Sequence, residues 1–233
     1  MSPIFGKRIN MLQGSTIKFL KDLKKNNNKP WFEKNRKVYE TAKADFAKFI
    51  QAVIDQHGKK DSSIKNLVAK DCLFRINRDV RFAKDKSPYK SNFGASINKS
   101  GRKAENSAGY YFHLHPGDSF AGGGIWMPMP DELKKVRQEI DYNFADFKKI
   151  IGSKKFKAVY GDLSKSAEYT LSRVPKGYEP GNPAAEYLKL KSYVAMATIT
   201  DADLSSKDLV KKTVAAFEAL QPLVEFINES VVS

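Results

Sequence analysis

The sequence is poor in thiols. A single cysteine, Cys72, excludes an internal disulfide and suits a reducing compartment. It stands directly before an apolar, strand-like run, so it reads as a buried structural thiol rather than a nucleophile. No serine sits in a G-x-S-x-G elbow, and no papain-like setting surrounds Cys72. No apolar stretch is long enough to cross a bilayer, and no N-terminal apolar run resembles a signal peptide. The chain is therefore expected to be cytoplasmic, without a membrane partner. There is no internal repeat, low-complexity tract or convincing linker.

Acidic residues are also scarce. Lys and Arg number 41 against 26 Asp and Glu, a formal net charge of +15. Such a surplus favours acidic partners, whether nucleic acid, nucleotides or phosphorylated small molecules, and is equally compatible with a Lys-rich, soluble surface. With 233 residues, 41% of them apolar and fifteen Phe, the chain has ample material for a core.

The densest chemistry lies between Leu73 and Phe93. Leu73 to Asn77 alternates, which predicts a strand with Phe74 and Ile76 towards the core and Arg75 and Asn77 on the other side. From Arg75 to Lys90 there are six cations (Arg75, Arg78, Arg81, Lys84, Lys86, Lys90) and two carboxylates (Asp79, Asp85), leaving four positive charges without a local partner. Arginines so close suit bidentate contact with phosphate or carboxylate. The same residues also suit an ion-pair network that fastens a loop to its domain. Ser87-Pro88-Tyr89 reads as a turn that carries Lys86 and Lys90 back towards the arginines.

The run Phe74-Arg75-Ile76-Asn77-Arg78-Asp79-Val80-Arg81-Phe82, followed by Asp85-Lys86-Ser87-Pro88-Tyr89-Lys90, resembles the signature of the family catalogued as domain of unknown function 2461. Asn35 to Tyr39 after Pro30-Trp31-Phe32, Gly109-Tyr110-Tyr111-Phe112-His113, Gly122 to Trp126, and Pro175-Lys176-Gly177-Tyr178 fit the same family. The resemblance runs from about Ser15 to near the C-terminus. It implies one domain over nearly the whole chain and no particular reaction. One departure is Asn182-Pro183, where His-Pro is expected in such proteins, so no histidine role is assigned there.

Before this stretch, Ser15 is a candidate N-cap for a short helix, and Pro30 opens a second helix that runs to Gly58. It carries Trp31, Asn35, Val38, Ala42, Phe46, Phe49 and Val53 at spacings of three or four, and its apolar stripe is read as core. After it, Phe93 to Asn98, Gly109 to His115, Ser119 to Met127 and Tyr193 to Thr200 are strand candidates, with Tyr110 and Phe112 inward and Tyr111 and His113 outward. Gly122-Gly123-Gly124 predicts a bulge or the close approach of another backbone or a ligand, with packing first and a ligand wall second. The run does not match a phosphate-cradling pattern. Leu133 to Ile151 follows helical spacing with a break near Asn143. Gly152 to Gly181 is turn-rich and basic. Ser205 or Ser206 caps a final helix that Pro222 kinks or splits. The expected architecture is α+β, a central, mostly antiparallel sheet flanked by N-terminal and C-terminal helices. Residues 1–14 form an extension and residues 15–233 a single domain, with 72–77, 109–115 and 119–127 in one sheet.

From these faces a site follows. Arg75, Asn77 and His113 form a floor, and Arg78, Arg81, Lys86 and Lys90 form a wall. The aromatics Tyr89, Tyr111 and Trp126 lie beside them. Asp79 orients an arginine or serves His113 as an acid–base partner. His113 and His115 are too few for a metal and no third ligand is announced, so no metal and no cofactor are expected. His57, at a helix end, is read as a cation suited to the dipole. The leading reading is a pocket for an anionic small molecule, with or without catalysis. One alternative is a nucleic-acid binder with a dispersed basic surface, and another is an interaction module whose Arg/Asp cluster is a fastening. The oligomeric state is not readable.

Overall fold

The computed structural model describes residues 11–103 and 106–232. Helix α1, Gly14–Lys25, buries Ile17, Phe19, Leu20 and Leu23 on one stripe, and Leu12 ahead of it is also buried. Its N-cap is Gln13, so Ser15 lies within the first turn and does not cap. Helix α2, Lys29–Lys34, is capped by the Asn28 side chain, which accepts from the Trp31 amide at 3.0 Å. Helix α3, Arg36–His57, follows after Asn35, a residue at once the C-cap of one helix and the N-cap of the next. This break corrects the single helix expected from Pro30. It shifts the phase of the stripe, so that Phe32 and Tyr39 are buried while Val38 is 45% exposed.

Helix α4, Ala69–Cys72, is one turn long. It leads into the segment expected to be a strand from 72 to 77. That expectation fails. Leu73 makes one bridge to Ala95, the Phe74 amide donates to the Gly94 carbonyl at 3.0 Å, and the chain bends at Ile76. With so short a pairing the alternation is not imposed. Leu73 and Ile76 point inward, and Phe74 is turned out, 39% exposed.

The sheet proper has four antiparallel strands in sequence order: β1 Phe93–Ile97, β2 Gly109–Leu114, β3 Ser119–Ile125 and β4 Tyr193–Ile199. Tyr110, Phe112 and Leu114 face inward with Phe93, Ala95, Ile97, Ala121 and Ile125, as strand alternation dictates. Gly122, Gly123 and Gly124 pair residue for residue with both neighbours, so there is no bulge. Their use is close packing. A Cβ on inward-facing Gly123 would stand 2.9 Å from Leu220 Cδ2 on the last helix.

Helices α5, Pro130–Tyr142, and α6, Phe144–Ile151, are separated at Asn143 as the sequence indicates. The turn-rich segment holds a helix not foreseen, α7, Lys154–Tyr160, capped by Ser153 and anchored by buried Phe156. Helix α8 is Ala185–Leu188, and α9, Asp201–Leu204, is closed by a Thr200–Asp203 capping box. Helix α10, Leu209–Val232, runs through the exposed Pro222 without splitting. One face of the sheet is covered by α3 and α10, with α1 packed on α3. The ring of Phe112 meets Phe49 edge-on at 4.7 Å, and Tyr110 stacks on Phe217 at 4.9 Å.

His57 is not the helix-end cation expected. It is fully buried against Tyr110, and neither ring nitrogen hydrogen-bonds to a described residue. Burial pulls its pKa below the usual histidine value, with Asp61 opposing. Cys72 is also fully buried, which pushes its thiol up to about 11 and keeps it protonated.

Candidate functional site: a groove on the outer face of the sheet

The second face of the sheet forms the floor of a groove of about 1290 Å³. Strand alternation sends Gly94 and Ser96 of β1 to this side. Tyr111 and His113 of β2, Phe120, Gly122 and Gly124 of β3, and Val194 and Met196 of β4 face the same way. The register sets His113 between Gly94 and Phe120, and Tyr111 between Ser96 and Gly122. Gly109 lies opposite Gly124, and Gly122 opposite Met196. Of these glycines Gly109 and Gly124, paired across neighbouring strands, line the groove without a side chain, and peptide backbone is the floor there, whereas Gly122 is buried.

Aromatic rings bound this bare strip. On one side His113 stacks on Phe120 (4.9 Å between centroids, 11° between planes), and Tyr111 lies 5.7 Å from Phe120 and 6.2 Å from Phe74. The Tyr111 hydroxyl lies over Gly94, where a Cβ would come within 2.5 Å of it, so the glycine admits the ring. That hydroxyl is 3.3 Å from His113 Nδ1. Burial lowers the His113 pKa, with His115 adding to the effect, and raises that of Tyr111, so both are neutral near pH 7. On the other side Trp126 meets Tyr169 edge-on at 4.5 Å, next to Met127 and Met129. Met127 holds φ at +44°, an uncommon conformation for a side chain of its size.

Among the described residues two cations line the groove, both at its β1 end. Lys90 Nζ stands 5.4 Å from the Phe74 ring, and Arg102 donates to the Leu73 carbonyl at 3.2 Å. Partial burial lowers the Lys90 pKa, and the charge of Arg75 lowers it further. Glu168 is the one carboxylate among the described lining residues. A smaller cleft of about 590 Å³ lies between the Asp61 turn and α10. Its polar groups serve the fold: Tyr110 donates to Asp61 at 2.7 Å, and Asn228 exchanges bonds of 2.8 and 3.2 Å with the Ala108 backbone.

A family model described as a conserved hypothetical protein, DUF2461, matches residues 15–226. The chain belongs to the DUF2461 family. No curated protein and no solved structure matches it.

In this DUF2461 chain the residues singled out from sequence separate into two groups. Lys90, Tyr111, His113 and Trp126 line the groove. Arg75, Asn77, Arg78, Asp79, Arg81, Lys86 and Tyr89 do not, so the floor of Arg75, Asn77 and His113 does not form. Arg78 pairs with Asp85. Arg81 is bidentate to Asp79 at 3.0 and 2.6 Å, which takes that carboxylate away from any pairing with His113. Lys86 donates to the Val80 carbonyl at 3.0 Å. Asn77 bridges Tyr89, whose ring is buried and stacked on Phe32 at 3.9 Å. Arg75 is exposed, and its charge is felt by Asp79 and Lys90. The physical reason is the missing strand: without an extended 72–77, nothing turns these cations to the face that carries His113.

Sequence reasoning passed over Phe120, Met196, Arg102 and Tyr169. The first two were accessible from alternation and the glycine run. Arg102 and Tyr169 come from irregular segments that carry no period. Among the described residues no group of three or more His, Cys, Asp or Glu side chains is arranged to hold a metal ion, and no helix is long and apolar enough to cross a membrane.

Proposed function

We propose that this protein binds an elongated small molecule with an anionic end and a flat, apolar body in the groove on the outer sheet face. The observation that carries the reading is the bare floor at Gly109 and Gly124 between two aromatic walls, where a planar group can lie directly on peptide backbone. The groove is polarised along its length. Lys90 and Arg102 occupy the β1 end, and Trp126, Met127 and Met129 stand at the other. Crossing three strand spacings takes about 14 Å. The volume of about 1290 Å³ exceeds the roughly 300–1,000 Å³ of a compact ligand site, which also favours an extended occupant. Lys90 is a partly desolvated cation beside another cation, so an arriving anion is stabilised there and stabilises the charged lysine in return. The anion contacts are thus Lys90 and Arg102 instead of the arginines of the signature. His113 and Tyr111 supply a neutral acid–base pair beside the bound ligand should a proton need moving.

The test is a thermal-shift series with inorganic phosphate, aromatic carboxylates and nucleoside monophosphates, on the wild type and on Lys90→Met and Trp126→Ala. A ligand of the right class raises the melting temperature of the wild type. Lys90→Met should remove the dependence on the anion and Trp126→Ala the dependence on the ring. A shift that survives in both variants, or no shift with any of the three classes, refutes the groove as the site.

A further inference from the structure

The loop between Asn77 and Tyr89 has no apolar core, yet its own polar groups hold it. At its base Asn77 bridges Tyr89, and the Arg78 amide donates to the Pro88 carbonyl at 2.9 Å. Asn27 clamps the same base from α2's side, accepting from the Tyr89 amide at 3.1 Å and donating to its carbonyl at 2.9 Å. Within the loop Asp85 takes the Ser87 amide and hydroxyl at 2.8 and 2.7 Å and also pairs with Arg78. Arg81 closes on Asp79, and Lys86 ties down the Val80 carbonyl. Both carboxylates of the loop are thereby engaged internally. What this scaffold presents is Phe82, 95% exposed, with the Arg81 guanidinium 5.9 Å from its ring.

Ordering an exposed loop costs conformational entropy, and a fully solvated phenylalanine gains nothing from the fold. Rigid presentation of one aromatic ring is what a binding anchor requires, because the ordering has been done before the partner arrives. The charge of the stretch indicates what that partner carries. Arg75 to Lys90 holds six cations and two carboxylates, and Arg75 and Lys84 make no ion pair with a described residue.

We propose that this loop docks single-stranded nucleic acid, with Phe82 stacking on a base and Arg75 and Lys84 meeting the flanking phosphates. A nucleic-acid strand supplies a flat partner for the ring and repeated negative charge for the surplus cations. An anionic bilayer fits less well, since it gains from several apolar side chains inserted together, and Val80 and Ala83 beside Phe82 are half-buried. Residues 78–89 do not line the groove, and of the residues in this proposal only Arg75 is felt there, through its charge on Lys90.

The experiment is fluorescence anisotropy of the full chain with labelled oligothymidine and oligouridine of about twelve nucleotides, started at low salt and titrated upward. Binding should fall steeply as salt rises. Phe82→Ala should weaken it by at least about fivefold while leaving the melting temperature unchanged, and Phe82→Trp should retain it. Vesicles containing phosphatidylserine form the second arm. The proposal is overturned if Phe82→Ala binds both oligonucleotides as tightly as the wild type, or if neither binds at the lowest salt. It is equally overturned if Phe82 is needed for vesicle binding and not for oligonucleotide binding.

Discussion

Gly124 faces Gly109 across the β2–β3 ladder, and a Cβ on Gly124 would stand 1.9 Å from the Tyr193 carbonyl oxygen. Its φ of +114° is one that side chains rarely adopt. Gly124→Ala should therefore destabilise the protein by about 1–3 kcal/mol or more, from strain and contact together. Urea denaturation gives the number. A loss within error of zero would mean that β3 relaxes around the methyl group and that the floor is not built on this glycine.

Tyr110 donates to Asp61 at 2.7 Å on the covered side of the sheet. Burial, then the hydrogen bond to Asp61, pushes the phenol pKa far up, so the donor stays protonated at any ordinary pH. Tyr110→Phe keeps the ring stacked on Phe217 and removes only the hydroxyl. The buried carboxylate oxygen then loses its partner, and stability should drop by about 1–3 kcal/mol. Asp61 would retain its bonds to the Ser63 amide and hydroxyl, so the turn after α3 should remain folded. Calorimetry of the variant together with Asp61→Asn checks both points.

His57 gives a pH dependence whose sign is determinate. Its folded pKa lies below its unfolded value, because burial disfavours the imidazolium. The unfolded chain then binds more protons, so stability is fully present above the unfolded value of about 6.5 and declines as pH falls below it. His113 and His115 are shifted in the same direction and add to the decline. His57→Phe removes an unbonded imidazole from an aromatic pocket. It should lower the melting temperature little at neutral pH and shrink the loss between about pH 7.5 and 5.5. An identical pH profile in the variant would show that His57 is not charged on unfolding in that range.

Asp85 fastens the loop that carries Phe82. The Ser87 hydroxyl and amide, and then Arg78, hold its carboxyl far below the usual range. Asp85→Ala should leave the melting temperature nearly unchanged, since the pair with Arg78 is open to solvent. Amide exchange over residues 79–87 should nevertheless accelerate clearly, and Ser87 most of all. Unchanged exchange would show that the base of the loop, clamped by Asn27, is sufficient to order it.

Much of the scaffold was legible because strand and helix periods are local. Tyr110 and Phe112 had to share one face and Tyr111 and His113 the other, whichever partner strand was chosen, and Asn143 marked the break between α5 and α6. The same logic failed where pairing was too short to impose a period. Phe74 follows a single bridge at Leu73 and turns outward, and Asn35 resets the helical phase so that Tyr39 replaces Val38 in the core.

The sequence by itself determined the α+β class, the alternation of β2, the burial of Cys72 and the surplus of positive charge. Those properties depend on composition and on neighbours one to four residues away. Only the tertiary structure decided how the cations of residues 75–90 are used. A charge has no intrinsic direction along the chain, and its partner is set by where the backbone brings a carboxylate. Asp79 and Asp85 curl back on Arg81 and Arg78, so those two arginines fasten a loop, while Lys90 reaches the outer face of the sheet. The groove is tertiary in the same sense. Gly109 and Gly124 are fifteen positions apart, and only the β2–β3 register makes them one floor.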